Sequence, residues 1–196
     1  SHRFDPLTPL EETMGALAHI VSSGRALYVG LSNYPADAMH KAAALLRELG
    51  TPCVIHQPRY SMLDRKIEPA LLPALADEGI GCIAFSPLAQ GILTDRYIKC
   101  DIPDDSRAAR GGFLKPEQLT PERLNAVRQL NDIAQARGLT LARMALAWVL
   151  RHESVTSVLI GASRSSQVLD AVAATRAAPF PADVLAEIDR ILAPLQ

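Results

Sequence analysis

Four short apolar runs, Ala26–Leu31, Cys53–His56, Gly81–Phe85 and Ser157–Ile160, alternate along this chain with stretches of helical periodicity. Parallel α/β domains produce this alternation, because two parallel strands need a long crossover between them, usually a helix. The runs are apolar throughout, as expected of strands buried on both faces. Right-handed crossovers then leave two architectures, an open doubly wound sheet or a barrel. Polar and small residues gather just after each run, at Ser32-Asn33, Gln57, Ser86 and Gly161-Ala-Ser163. Both architectures carry their sites on that rim. Four strands cannot close an eight-stranded barrel, so the chain reads as a flat fold or as half of a barrel.

The helices are marked by their ends. Thr8-Pro-Leu-Glu11 predicts a capping box with Pro at the first helical position, opening a helix that runs through Met14, Leu17, Ala18 and Val21 and stops near Gly24. A second helix spans Ala36 to Leu49 and is closed by Gly50. A third lies around Glu68 to Ala76, where Pro73 implies a kink or a late start. Thr120-Pro121 caps a helix reaching Arg137-Gly138, and Leu139 to Leu150, Ser165 to Ala174 and Ala182 to Leu192 form three more. Thr94 to Lys115 is polar and rich in Asp, Arg, Gly and Pro; loops of that length are usually functional lids or mobile segments.

The chain has 196 residues, enough for one domain with a substantial core. Its net charge of −1 gives no global field for nucleic acid or an anionic membrane. No apolar run approaches the roughly 20 residues of a membrane-spanning helix, and the polar start Ser1-His-Arg-Phe-Asp-Pro6 shows no signal peptide. Cys53, Cys82 and Cys100 are scattered and odd in number, which fits neither a disulfide framework nor a paired metal motif. The histidines do not cluster, so no metal site is expected. A reducing cytoplasm fits this composition.

Two segments point to an anion. In Val155-Thr-Ser-Val-Leu-Ile-Gly-Ala-Ser-Arg164 a strand runs into a glycine turn, and a serine and an arginine then open a helix. Helix N-termini attract anions through their N–H groups and dipole. Ile83-Ala-Phe-Ser-Pro-Leu-Ala-Gln-Gly91 makes a similar strand-to-loop passage one strand earlier. The loops after the last two strands of a βα barrel are a favoured phosphate site, so the pair suggests a nucleotide or sugar phosphate.

These residues together resemble the aldo-keto reductases, in the branch containing bacterial L-glyceraldehyde 3-phosphate reductases and potassium-channel β subunits. The resemblance rests on Ser1-His-Arg3, Tyr28-Val-Gly-Leu-Ser-Asn33, His56-Gln57 with Tyr60, Phe85-Ser-Pro-Leu-Ala-Gln-Gly91, Ile102-Pro-Asp-Asp-Ser-Arg107, and Ser157 to Arg164 followed by Gln167, and it covers essentially the whole chain in order. It implies a (β/α)8 TIM barrel, with residues 1–196 forming the C-terminal part of a single barrel domain from about the end of strand four to strand eight and the terminal helices. Residues 33, 57, 86 and 163 are then expected on one rim, with the strands in sequential order.

The resemblance also implies chemistry: NADPH-dependent reduction of small aldehydes, such as glyceraldehyde 3-phosphate or a methylglyoxal-like compound. Of the family's catalytic tyrosine, lysine, aspartate and histidine, only the histidine matches a position here, His2, as a hydrogen-bond donor to the substrate carbonyl. Tyr28, Tyr34, Tyr60 and Tyr97 read as packing residues. Ser32, Asn33 and Gln57 match the residues that hold the nicotinamide carboxamide, although Ser32-Asn33 alone more often marks a turn and helix cap. Phe85 matches the ring stacked on the nicotinamide. Ser86, Pro87, Leu88, Ala89, Gln90 and Gly91 match the pyrophosphate loop, and Arg96 and Arg107 the segment folding over the cofactor. Gly161, Ser163, Arg164, Gln167 and Asp170 match the adenosine end, where Arg164 favours NADP by pairing with its 2′-phosphate. The family usually has Glu-Asn where this chain has Asp170-Ala171, so one adenine contact is lost. The implied partner is a small carbonyl substrate. A different class is a nucleotide-binding regulatory subunit; a third is an inactive half-barrel, whose open edges would pair with another copy.

Overall fold

The computed structural model describes residues 1–98 and 114–195. They fall into two compact units, the first built from Ser1–Arg59, Lys66–Phe85 and Glu153–Ser157, the second from Tyr60–Arg65, Ser86–His152 and Val158–Gln196.

In the first unit, helices α1 (Leu10–Ser22), α2 (Ala36–Glu48) and α3 (Leu71–Glu78) alternate with strands β1 (Val29–Ser32), β2 (Cys53–Gln57) and β3 (Gly81–Phe85). The sheet has the order β1-β2-β3-β4, with β4 (Val155–Leu159) at the end away from β1. Both registered pairings are parallel: Leu31 lies opposite His56 and Ser32 opposite Gln57, while His56 lies opposite Cys82. Sequential order is the product of successive right-handed crossovers, and the reversed order of a doubly wound sheet is not found in these four strands.

The core of this unit follows helical spacing. Ala38, Met39, Ala42, Ala43 and Leu46 of α2 are buried, a three-and-four repeat that turns one stripe inward. Gly79 ends α3 at φ +67°, a left-handed position suited to glycine. Gly30 has a different reason. A Cβ there would collide with the Ile55 side chain and lie 2.9 Å from the Ile55 carbonyl oxygen, so β1 and β2 approach more closely than any side chain allows.

Three expectations change, and at Pro73 the late start is the alternative found. Thr8 does not cap α1; its hydroxyl donates to Asp5 Oδ2 at 2.8 Å, while Asp5 Oδ1 accepts the Leu7 N–H. This local Asp turn outcompetes the capping box, and the helix starts at Leu10 without a side-chain cap. Tyr28 is not packed: β1 begins only at Val29, leaving Tyr28 72% exposed. Helix α3 starts late, so Pro73 falls in its first turn, where its missing N–H removes no helical bond. Finally, β4 is not buried on both faces, since Thr156, Ser157 and Leu159 are exposed on this end strand.

The second unit holds α4 (Pro121–Ala136), α5 (Leu141–Leu150), α6 (Ser165–Ala174) and α7 (Ala182–Leu192). Thr120 and Thr140 cap α4 and α5, accepting the N–H of Arg123 at 3.3 Å and of Arg143 at 3.1 Å. Trp148 of α5 is fully buried. The guanidinium of Arg151 lies 3.6 Å from its ring centroid, that of Arg65 lies 5.1 Å away, and Tyr60 packs at 5.6 Å. Arg65 also pairs with Asp189 of α7 at 2.6 Å, which ties the short 60–65 segment to the helices.

Candidate cofactor site

The expected site residues divide between the two units. In the first, they sit at the C-terminal ends of β1, β2 and β3. Ser1 lies alongside β1: its nitrogen donates to the Gly30 carbonyl at 2.7 Å and its carbonyl accepts the Ser32 N–H at 2.8 Å. That pair of bonds is a parallel-ladder step opposite Leu31, so Ser1 continues the sheet past β1. His2 is thereby placed next to Asn33, whose side-chain amide donates to the His2 carbonyl at 3.3 Å. Asn33 Nδ2 also donates to Ser32 Oγ at 2.8 Å, and Ser32 Oγ donates to the Gln57 carbonyl at 2.7 Å. His2, Ser32, Asn33 and Gln57 thus form one linked group.

Asn33 holds φ at +57°, a conformation asparagine tolerates better than most residues. The turn aims its side chain back across Ser32 instead of along the strand. Phe85 ends β3 half-buried, its N–H on the Pro58 carbonyl at 3.0 Å.

Beneath this rim lies a residue that sequence reasoning passed over. His56 is fully buried; its Nε2 accepts the Tyr34 N–H at 3.3 Å and its Nδ1 has no hydrogen-bond partner among the described residues. Burial pushes this imidazole down to about 4, so at neutral pH it is uncharged with its proton on Nδ1. Tyr34 is buried as well, its hydroxyl 2.9 Å from Ser1 Oγ and its ring 5.5 Å from that of Phe4. A histidine inside an apolar run was the available signal. Cys82, opposite His56, is pushed up to about 12 by burial, which leaves it an inert thiol.

In the second unit the loop after β3 is wound tightly. Ser86, Ala89 and Gln90 take φ of +55°, +46° and +61°, followed by Gly91 at +100°. With Asn33 they are the four non-glycine residues with positive φ among the described residues. Each such residue is strained by roughly 1–2 kcal/mol, and strain of this kind concentrates at ligand-binding turns. The winding is held by Ala89 N–H on the Ser86 carbonyl and Gly91 N–H on the Leu88 carbonyl, both at 2.9 Å. Pro87 and Leu88 lie within this turn. Thr94 Oγ1 donates to the Gly91 carbonyl at 2.7 Å and accepts the Arg96 N–H at 3.3 Å, so Arg96 is anchored to the same loop. Arg107, with the rest of Ile102–Arg107, lies outside the described residues.

The loop after β4 departs from expectation. Gly161, Ser163 and Arg164 are exposed, but the Ser163 and Arg164 amides are not free. Gln167 Oε1 accepts the Ser163 N–H at 2.8 Å, the Ser163 hydroxyl at 3.3 Å and the Arg164 N–H at 3.3 Å. These two amides are therefore taken, while the Arg164 guanidinium stays exposed. Asp170 is also engaged, held by Arg143 Nε at 2.5 Å and Thr140 Oγ1 at 3.4 Å. Sequence gave no sign of that pair, because 27 residues separate its members.

Among the described residues no group of three His, Cys, Asp or Glu side chains could hold a metal ion, and no helix is long and apolar enough to cross a membrane.

The L-glyceraldehyde 3-phosphate reductase of Escherichia coli K12 is 50% identical over 198 residues, covering 98% of this chain and 57% of that protein. A probable voltage-gated potassium channel subunit beta of Arabidopsis thaliana is 38% identical over 197 residues, covering 97% of this chain and 60% of that protein. The chain thus spans well under two thirds of the length of these relatives. Residues 1–193 match the aldo/keto reductase family as a whole, and the chain belongs to that family.

Proposed function

We propose that this chain is the cofactor-binding part of a (β/α)8 barrel that reduces small aldehydes with NADPH, the substrate being a glyceraldehyde 3-phosphate or methylglyoxal-like carbonyl. The observation that carries the reading is the Asn33 bond to the His2 carbonyl, which sets the candidate catalytic histidine beside the candidate nicotinamide ligands in a family member. The donor set fits a carboxamide, which offers both N–H and C=O. Asn33 Oδ1 and the Gln57 side-chain amide make no hydrogen bond within the described residues, leaving an acceptor and an ambivalent amide for it. NADPH supplies the hydride when bound. Phe85 would press on the nicotinamide face, and the Ser86–Gly91 turn and Arg96 would meet the pyrophosphate. Arg164, with Ser163 and Gln167 behind it, would meet the 2′-phosphate. The His2 imidazole would donate to the carbonyl oxygen and stabilise the negative charge that develops there.

The test is NADPH oxidation by the full-length protein with DL-glyceraldehyde 3-phosphate and methylglyoxal. Turnover is expected with at least one of them, and His2→Ala should lower kcat by about 100- to 1000-fold with NADPH affinity nearly unchanged. Equal loss in both parameters means that His2 is misassigned. The likeness to the Arabidopsis channel subunit favours a second reading, a nucleotide-binding regulatory subunit. Tight NADPH binding with no turnover on any small aldehyde would select it.

A further inference from the structure

Arg143 has no role in the chemistry assigned so far, yet it holds Asp170, which the resemblance matches to the adenosine end. Helix α5 has no acidic residue in its own first turn, a position where carboxylates are favoured by the dipole. Asp170 supplies one from α6. Its Oδ1 takes the Arg143 Nε hydrogen at 2.5 Å and its Oδ2 the Thr140 hydroxyl at 3.4 Å. Thr140 Oγ1 in turn accepts the Arg143 N–H at 3.1 Å. Both oxygens of one carboxylate therefore close the N-terminal turn of α5 from outside, with each side chain of the pair about two thirds buried. Asp170 lies on the same helix as Arg164 and Gln167, so this clasp fixes the helix that carries the loop after β4.

We propose that Arg143 is a positioning residue for the contact of Arg164 with the 2′-phosphate of the cofactor, and that Asp170 acts on that contact through Arg143 and not by touching the cofactor. The inference rests on the proposed NADPH function. A carboxylate whose two oxygens are turned to Arg143 and Thr140 does not read the adenine amino group. Its influence is mechanical: it holds α6 against α5 so that Arg164 meets the 2′-phosphate. The loss on breaking the clasp then falls on NADP, while NAD, which has no 2′-phosphate, is spared.

A double-mutant cycle on the full-length protein decides it. NADP and NAD binding are titrated for the unmutated protein, Asp170→Asn, Arg143→Met and the double variant. The two single variants are expected to weaken NADP by a similar factor, about two- to thirtyfold, with the double variant no weaker than either. NAD affinity should change little in all three, which a general loss of folding would not produce. Arg143→Lys, which keeps the charge and the stem, should recover part of the loss and serves if Arg143→Met does not fold. Additive losses, or an Asp170→Asn effect that persists undiminished without Arg143, overturn the inference and leave the proposed function standing. An unmutated protein that takes up neither cofactor overturns both.

Discussion

His56 shows how one side chain links the sheet to the rim. Its Nε2 accepts the Tyr34 N–H, one residue beyond Asn33, so the neutral ring helps fix the turn that aims Asn33 at His2. Protonation would put a second N–H against the Tyr34 amide and bury a charge. The folded-state value near 4 lies below the ordinary 6.5. The unfolded chain therefore binds more protons between those limits, and stability rises with pH across the window. It should be complete above about pH 6.5 and fall by about 2–3 kcal/mol as the pH drops toward 4. Urea denaturation at pH 7.5 and pH 4.5 should show this loss in the unmutated protein, and His56→Gln should flatten it. An unchanged pH dependence in that variant would place the titrating group elsewhere.

At the scale of elements, the close approach of β1 and β2 makes a sharper claim. Gly30→Ala puts a methyl group 2.9 Å from a backbone carbonyl oxygen, which a strand cannot yield as a flexible side chain could. The expected cost is about 1–3 kcal/mol, read as a lower denaturation midpoint; a loss below about 0.3 kcal/mol would mean that the strands separate freely. What was legible in the sequence follows the same logic of local cause. Helices α6 and α7 and strand β3 lie where their periodicity and turn residues put them, and Thr120 caps α4 as expected, whereas Thr140, expected inside a helix from Leu139, caps α5. The start of α1 was not legible, because Asp5 offered Thr8 a bond as local as the cap. The exposure of β4 depends on its having a described neighbour on one side only, which no periodicity records. Side-chain roles were least legible of all. Motif likeness named Gln167 and Asp170, yet their bonds to Ser163, Arg164 and Arg143 follow from how the loop and α5 meet α6.

This chain carries almost no net charge, −1 at neutral pH, so it adds little long-range field with which to favour a more highly charged cofactor. What preference for NADP over NAD this chain supplies comes from contacts within a few ångströms of the 2′-phosphate. With Gln167 occupying the Ser163 and Arg164 amides, the exposed Arg164 guanidinium is the charged group of this loop left to make one. A charge-assisted contact of this kind is worth roughly 1.5–3 kcal/mol, which corresponds to about a tenfold to hundredfold preference. Arg164→Glu is expected to abolish the preference and to leave NAD affinity nearly unchanged, because NAD offers only a hydroxyl there. Raising the ionic strength should weaken NADP binding more than NAD binding in the unmutated protein, and that difference should reverse in the variant, where salt screens the repulsion between Glu and the phosphate. Fluorescence titration of both cofactors against the full-length protein measures all of this. Equal weakening of NAD and NADP would show that Arg164 supports the loop and does not read the phosphate.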